Sequence, residues 1–272
     1  MKKIKFEELN KGTILDNNDD HVVVEKDGLD IHLKIHLKPN AKAIVVFSNG
    51  AVNTSKKTPP VFMRSSWVND MPYSAIYIDD RTLHNKNIRI GWGLGTKERH
   101  YLIDYSEIIR KICSSINYEG QDVYYFGSSA GGFMSMALAT MHNASSAIVN
   151  NPQAYVFNYK QLAVKKVMTT CYDMDSIDKF KKTYPDRLSI TTMFKKFKRT
   201  PDVYYLQNRL CESDMKNHVY PMMKMMDKYK INSKPINFML YNDIESGHEP
   251  MSKEKTLKII GNIIDKDFQV IK

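Results

Sequence analysis

Val123-Tyr-Tyr-Phe-Gly-Ser-Ser-Ala-Gly-Gly132 runs directly into Phe133-Met-Ser-Met-Ala-Leu-Ala139. The first residues suit a buried strand and the last a helix, and Ser129 sits between two glycines in the spacing Gly127-x-Ser129-x-Gly131. A strand, a sharp turn and a helix around this pattern lift a serine hydroxyl to the top of a sheet. The glycines are required because Cβ atoms on either side of so tight a turn would collide. The amide of Ala130, at the start of the helix, can then face a developing oxyanion. Ser128 lacks the glycine spacing, so Ser129 is the candidate nucleophile. A glycine-rich turn without chemistry is the plainer alternative.

A serine hydroxyl needs a base in hydrogen-bond reach and an acid to orient that base. In this architecture the order along the chain is Ser, then Asp or Glu, then His. Ile236–Tyr241 reads as a late strand, and the loop after it holds Ser246-Gly-His-Glu-Pro250. Of the eight histidines, His248 alone follows the serine in a glycine-bearing loop just beyond a strand. Val203–Gln207 reads as the preceding strand, with Asp214 in the loop past its end, where crevice residues belong. Glu212 competes for that role, and His218 is a rival base or an acceptor-binding residue. The second oxyanion donor is expected from the turn after the strand Ala43–Ser48, at Gly50 or Ala51.

At 272 residues the chain suffices for one α/β domain with a modest insertion. Its start offers no apolar run after the basic residues, so no secretory signal is expected. No apolar run reaches membrane-spanning length. Three scattered cysteines, without metal spacing, fit a reduced, cytoplasmic setting. No metal site is expected. Much of the net charge of +10 is concentrated late, in Lys179–Lys182 and Lys195–Arg199, with Arg187 between them. A specific nucleic-acid reader would show a recognised module, and none is present. The basic stretch is either a solvated helical face or a collar for anionic groups, which makes Lys195 and Lys196 candidate substrate contacts.

Two alternating runs, His21–Glu25 and Leu29–Ile35, flank an Asp-Gly turn and predict an N-terminal antiparallel hairpin. Strands are then expected at 43–48, 73–78, 123–128, 147–150, 203–207 and 236–241, with a helix over 101–116. Strands alternating with helices predict a mostly parallel sheet with helices on both faces. Residues 153–200 do not fit a single crossover helix and are expected to form a small lid between the sixth and seventh strands. Gly91-Trp-Gly-Leu-Gly95 lacks the strand-to-helix context of a dinucleotide fingerprint, and Trp92 is expected to line the cleft. The methionines at 222–226 read as core packing on a helix.

With these motifs in this order, the chain resembles the α/β-hydrolase superfamily along most of its length. Phe126–Gly132, Asn150-Asn-Pro-Gln-Ala154, Gln207-Asn208 and Gly91–Gly95 resemble a branch containing bacterial capsular polysaccharide and glycan O-acetyltransferases and capsule-locus hydrolase-like proteins. That resemblance implies Ser129 as acyl-carrying nucleophile, His248 as base and Asp214 as orienter. It also implies acetyl-CoA as acyl donor with no permanently bound cofactor, and a carbohydrate or polysaccharide acceptor, anionic where the basic stretch meets it. The His-Gly-Gly-Gly loop of lipases is replaced here by Asn49-Gly50-Ala51. A carbohydrate esterase or deacetylase with the same residues, and a non-catalytic adaptor in glycan assembly or export, are the alternatives.

Overall fold

The computed structural model describes residues 2–266, so positions 1 and 267–272 of the expected single domain lie outside the described residues. Nine strands form one sheet in the order β1-β2-β3-β5-β4-β6-β7-β8-β9. They are β1 (Lys2–Lys5), β2 (His21–Lys26), β3 (Leu29–His36), β4 (Ile44–Ser48), β5 (Ser74–Ile78), β6 (Val123–Ser128), β7 (Ser146–Asn150), β8 (Asp202–Asn208) and β9 (Ile236–Tyr241). Only β2–β3 and β3–β5 pair antiparallel, the remaining pairs being parallel. The predicted hairpin is β2–β3. The short β1 beside it was not anticipated: Lys-Lys-Ile-Lys buries one residue, Ile4, and so carries almost no hydrophobic pattern. Counting β1, the insertion falls between the seventh and eighth strands.

The central strands are buried from end to end, as parallel strands covered on both faces must be. Alternation still sorts their side chains. Ile44, Val46, Ile76 and Tyr125 face one core, and Val45, Phe47, Tyr77 and Phe126 face the other. The first core takes α1 (Lys11–Leu15), α2 (Tyr101–Ser115) and α3 (Ala130–Met141). It also takes the insertion helices α4 (Gln161–Tyr172), α5 (Ile177–Thr183), α6 (Pro185–Leu188) and α7 (Ile190–Phe197). After β8 the short α8 (Glu212–Asp214) leads through a π-helical turn, Met215–Val219, into α9 (Tyr220–Tyr229). The second core is closed by α10 (Lys253–Ile264) and the 3₁₀ turn Ser65–Asp70.

The helices follow from spacing. On α2, Leu102, Tyr105, Ile108, Ile109 and Ile112 are buried at intervals of three and four. Helix α3 is buried nearly all round because it packs against β6, β7, α2 and α7 at once. On α9, Met222 and Met226 are core residues, whereas Met223 is exposed. All described helices fall short of the length and apolarity needed to cross a membrane.

Burial also fixes a protonation state. His142, at the end of α3, is 8% exposed and shares a 2.9 Å hydrogen bond with Tyr125 OH through Nδ1. Burial, with Arg110 and Arg199 nearby, lowers its pKa to about 4. Burial likewise pushes His32 to about 4 and His100 to about 3. The unfolded chain therefore takes up protons that the folded chain refuses as pH falls through about 6.5. Stability is full above that pH and is lost towards pH 4. Urea midpoints measured from about pH 7.5 to about pH 5 should fall, and His142→Gln should shallow the slope by about one proton. An unchanged slope in that variant would mean His142 is not buried neutral.

Candidate active site

The turn at Ser129 is as tight as its sequence demands. A Cβ at Gly127 would stand 2.2 Å from Gly131 O, and one at Gly131 would stand 2.6 Å from Ser48 O. Ser129 itself has φ 55° and ψ −122°, a conformation that side-chain-bearing residues adopt only under constraint. The constraint is visible. Its carbonyl accepts from Gly132 N, Phe133 N and Gln153 N, and its amide donates to Asn150 O.

The side chain meets the two residues expected of it. His248 Nε2 lies 2.9 Å from Ser129 Oγ, and His248 Nδ1 lies 2.7 Å from Asp214 Oδ2. A carboxylate accepts only, so Nδ1 carries the proton and Nε2 is left as the acceptor facing the serine. Asp214 is 5% exposed, whereas Glu212 is exposed and makes no such contact. Asp214 sits in α8 just before the π-helical turn rather than in an open loop. Cys211 Sγ lies within 4.8 Å of the Asp214 and His248 donor atoms, a set able to take a cation; the last two already face each other through a hydrogen bond.

Asparagines at the strand ends hold the His248 loop in place. Asn151 Nδ2 donates to the carbonyls of His248 and Glu249, at 3.1 Å each. Asn208 Nδ2 donates to Asp243 O at 2.6 Å and Gly247 O at 2.9 Å, and Asn150 Oδ1 accepts from Met251 N at 2.8 Å. Asn150, Asn151 and Asn208, quoted above only for their resemblance, thus position the histidine loop, whereas Gln207 Nε2 donates to Asn208 O.

Gln153 had no assigned role in the sequence. It is fully buried, and its Nε2 donates to Ser129 Oγ at 2.9 Å. Trp92 Nε1 donates to Gln153 Oε1 at 2.6 Å, which fixes which end of the amide faces the serine. Trp92 therefore does not line the cleft but stands behind Gln153, with no exposed surface. The glycines of 91–95 let that loop wrap around Asp80 and Thr82, whose side chains accept from Gly93 N and Gly95 N. A Cβ at Gly91 would come within 2.6 Å of Asp80 Oδ2. A chain-order argument could not find Gln153, because its contact depends on the turn after β7 folding back over β6.

Ala130 opens α3. The turn at Gly50 lies against the serine turn, since a Cβ there would be 3.5 Å from Ser128 O, and Ala51 beyond it is exposed. A cavity of about 300 Å³ adjoins Asp214 and His248. Asp214 and His248 share its wall with Asn158, Tyr159, Lys160, Ser213, Asn217 and His218. His218 is 3% exposed and its Nδ1 has no partner. Burial, with His248 near, lowers its pKa to about 4, so it is neutral near pH 7. Lys195 and Lys196 are elsewhere. Lys195 lies over the Tyr229 ring at the edge of a separate basic cavity, and Lys196 pairs with Asp186. Of the insertion, Gln153 bonds Ser129 Oγ and residues 158–160 line the cavity beside His248.

No protein-family model and no curated protein matches the chain. Solved structures do match. A capsule O-acetyltransferase of Neisseria meningitidis serogroup A, as a histidine-to-alanine mutant in complex with CoA, has a TM-score of 0.63 at 14% identity, covering 91% of this chain and 96% of that one. An esterase/lipase from an uncultured bacterium has a TM-score of 0.56 at 15% identity over 97% and 91% of the two chains. An S-formylglutathione hydrolase from Agrobacterium tumefaciens has a TM-score of 0.57 at 14% identity over 91% of each. The chain has the α/β-hydrolase fold that these proteins share.

The hydrogen bond from Gln153 yields a test. Gln153→Ala should slow labelling of Ser129 by a fluorophosphonate about ten-fold or more. Trp92→Phe, which removes only the indole N–H, should slow it less. Wild-type rates in both would show the bond to be idle.

Proposed function

We propose that the protein is a serine acyltransferase that moves an acetyl group from acetyl-CoA to a hydroxyl of a cell-surface carbohydrate. The observation that carries the reading is the continuous chain of contacts from Asp214 through His248 to Ser129 Oγ, with a cavity beside the first two residues. The likeness to the capsule O-acetyltransferase over nearly the full length of both chains supports transfer to a sugar. So does the cavity wall, where Tyr159 offers an aromatic face beside amides and hydroxyls.

Ser129 Oγ attacks the thioester carbonyl carbon while His248 Nε2 takes its proton. Asp214 keeps the imidazole in the right tautomer and stabilises its charged form. The oxyanion is met by the Ala130 N–H and by a donor from the Asn49–Ala51 turn, with Gln153 Nε2 close by. Collapse breaks the C–S bond, and His248 returns the proton to the departing thiolate. In the second half His248 deprotonates a sugar hydroxyl, whose oxygen attacks the acyl carbon. Ser129 Oγ then leaves and regains its proton. Water in place of the sugar turns the same steps into ester hydrolysis, so acceptor binding and water exclusion decide between the two.

Intact-protein mass spectrometry after mixing with acetyl-CoA should show a single acetyl adduct, absent in Ser129→Ala and long-lived in water. Asp214→Asn should slow adduct formation by roughly 10⁴-fold. No adduct, but rapid Ser129-dependent cleavage of a simple acetate ester, would replace the transferase with an esterase. No reaction with either, in well-folded protein, would favour an adaptor.

A further inference from the structure

Arg64 lies on the long connection between β4 and β5, at the start of the turn Ser65–Asp70. Its backbone is left-handed, with φ 65°, unusual for so long a side chain. Two buried side chains hold the segment there. Asn49 accepts from Met63 N at 3.0 Å and donates to Val61 O, and Asp79 Oδ1 accepts from Val61 N at 2.7 Å. The guanidinium is thereby set 5.3 Å from the ring centres of both Trp67 and Phe126. Its Nη2 donates to Ser128 Oγ at 2.6 Å, one residue before Ser129.

That is the only side-chain hydrogen bond of Arg64 among the described residues, and no carboxylate pairs with it. None of its nitrogens is among the buried atoms lacking a partner, so the unused donors reach solvent. Burial lowers its pKa to about 10, which still leaves it charged at neutral pH. A cation pressed onto aromatic faces with one neutral acceptor is incompletely compensated. An oxyanion would complete it, because the guanidinium fork matches carboxylate and phosphate alike.

We propose that Arg64 is an anion-recognition residue of the Ser129 site, taking a phosphate or carboxylate carried by the acceptor close to the hydroxyl that is acylated. The proposal rests on the acyl-transfer reading above. The acceptor is favoured over the donor for a steric reason. In acetyl-CoA the whole pantetheine arm separates the phosphates from the thioester carbonyl. Arg64, by contrast, is anchored on the residue adjoining the nucleophile.

Ligand-detected NMR titrations test this without turnover. Wild-type protein should bind N-acetylglucosamine 6-phosphate about ten-fold or more tighter than N-acetylglucosamine. Arg64→Gln should abolish that preference, and Arg64→Lys should keep part of it. Ser128→Ala, which frees the guanidinium but keeps its charge, should weaken the preference and guards against a folding defect, as do matched thermal midpoints. The preference for CoA over pantetheine should survive in Arg64→Gln. Loss of the CoA preference instead would overturn the acceptor assignment and give the anion to the donor. A sugar-phosphate preference that persists in Arg64→Gln, or is absent from wild type, would overturn the proposal itself. A wild type that binds the sugar phosphate yet never acylates Ser129 would remove the acyl-transfer reading and leave the anion site standing.

Discussion

The backbone of Ser129 is held in a conformation that it would not adopt alone. Its carbonyl is shared among three amides and its amide is bound to β7. Gly127, Gly131 and Gly132 allow β6, α3 and the turn at Pro152 to close around it. These contacts bring the ends of β4, β6 and β7 together at one edge of the sheet. The residues that contact the serine and its histidine all hang from those ends or from β8 and β9 beside them. A substitution that relaxed the turn would therefore displace Gln153, the Asn49–Ala51 turn and the His248 loop along with the serine.

Around that point the molecule uses neutral amides as fasteners. Asn49, Asn150, Asn151, Gln153 and Asn208 are all buried, and each spans two segments. An amide can donate and accept at once without carrying charge into the interior. A carboxylate in these positions would be desolvated and would compete with Asp214 for the imidazole. Beside the two serines, charge is kept for the Asp214–His248 pair and the guanidinium of Arg64.

Much of this was legible in the sequence, and the remainder was hidden for identifiable reasons. The strand–turn–helix around Ser129 is written in local residue types, and Asp214 and His248 follow from chain order beyond two recognisable strands. The hairpin β2–β3 was visible through its Asp-Gly turn. Strand β1 was hidden because a single buried isoleucine makes no pattern. Gln153, Asn151 and Asn208 look like ordinary turn residues until β6, β7 and β8 are placed side by side, since their contacts are long-range. Trp92 misled for a related reason. An aromatic in a glycine-rich loop suggests a cleft, but the loop's glycines serve its wrapping around Asp80 and draw the indole inward. The basic stretch showed its charge but not its partners, because Lys195 and Lys196 turn towards Tyr229 and Asp186.

The two tryptophans of the chain stand on opposite sides of the sheet and flank the same dipeptide. Trp92 is one side chain from Ser129 through Gln153, and Trp67 is one side chain from Ser128 through Arg64. Indole emission responds to neighbouring charge and hydrogen bonding, so the protein carries its own pair of optical reporters. Trp92 is placed to report on the Ser129 hydroxyl, and Trp67 on the Arg64 guanidinium.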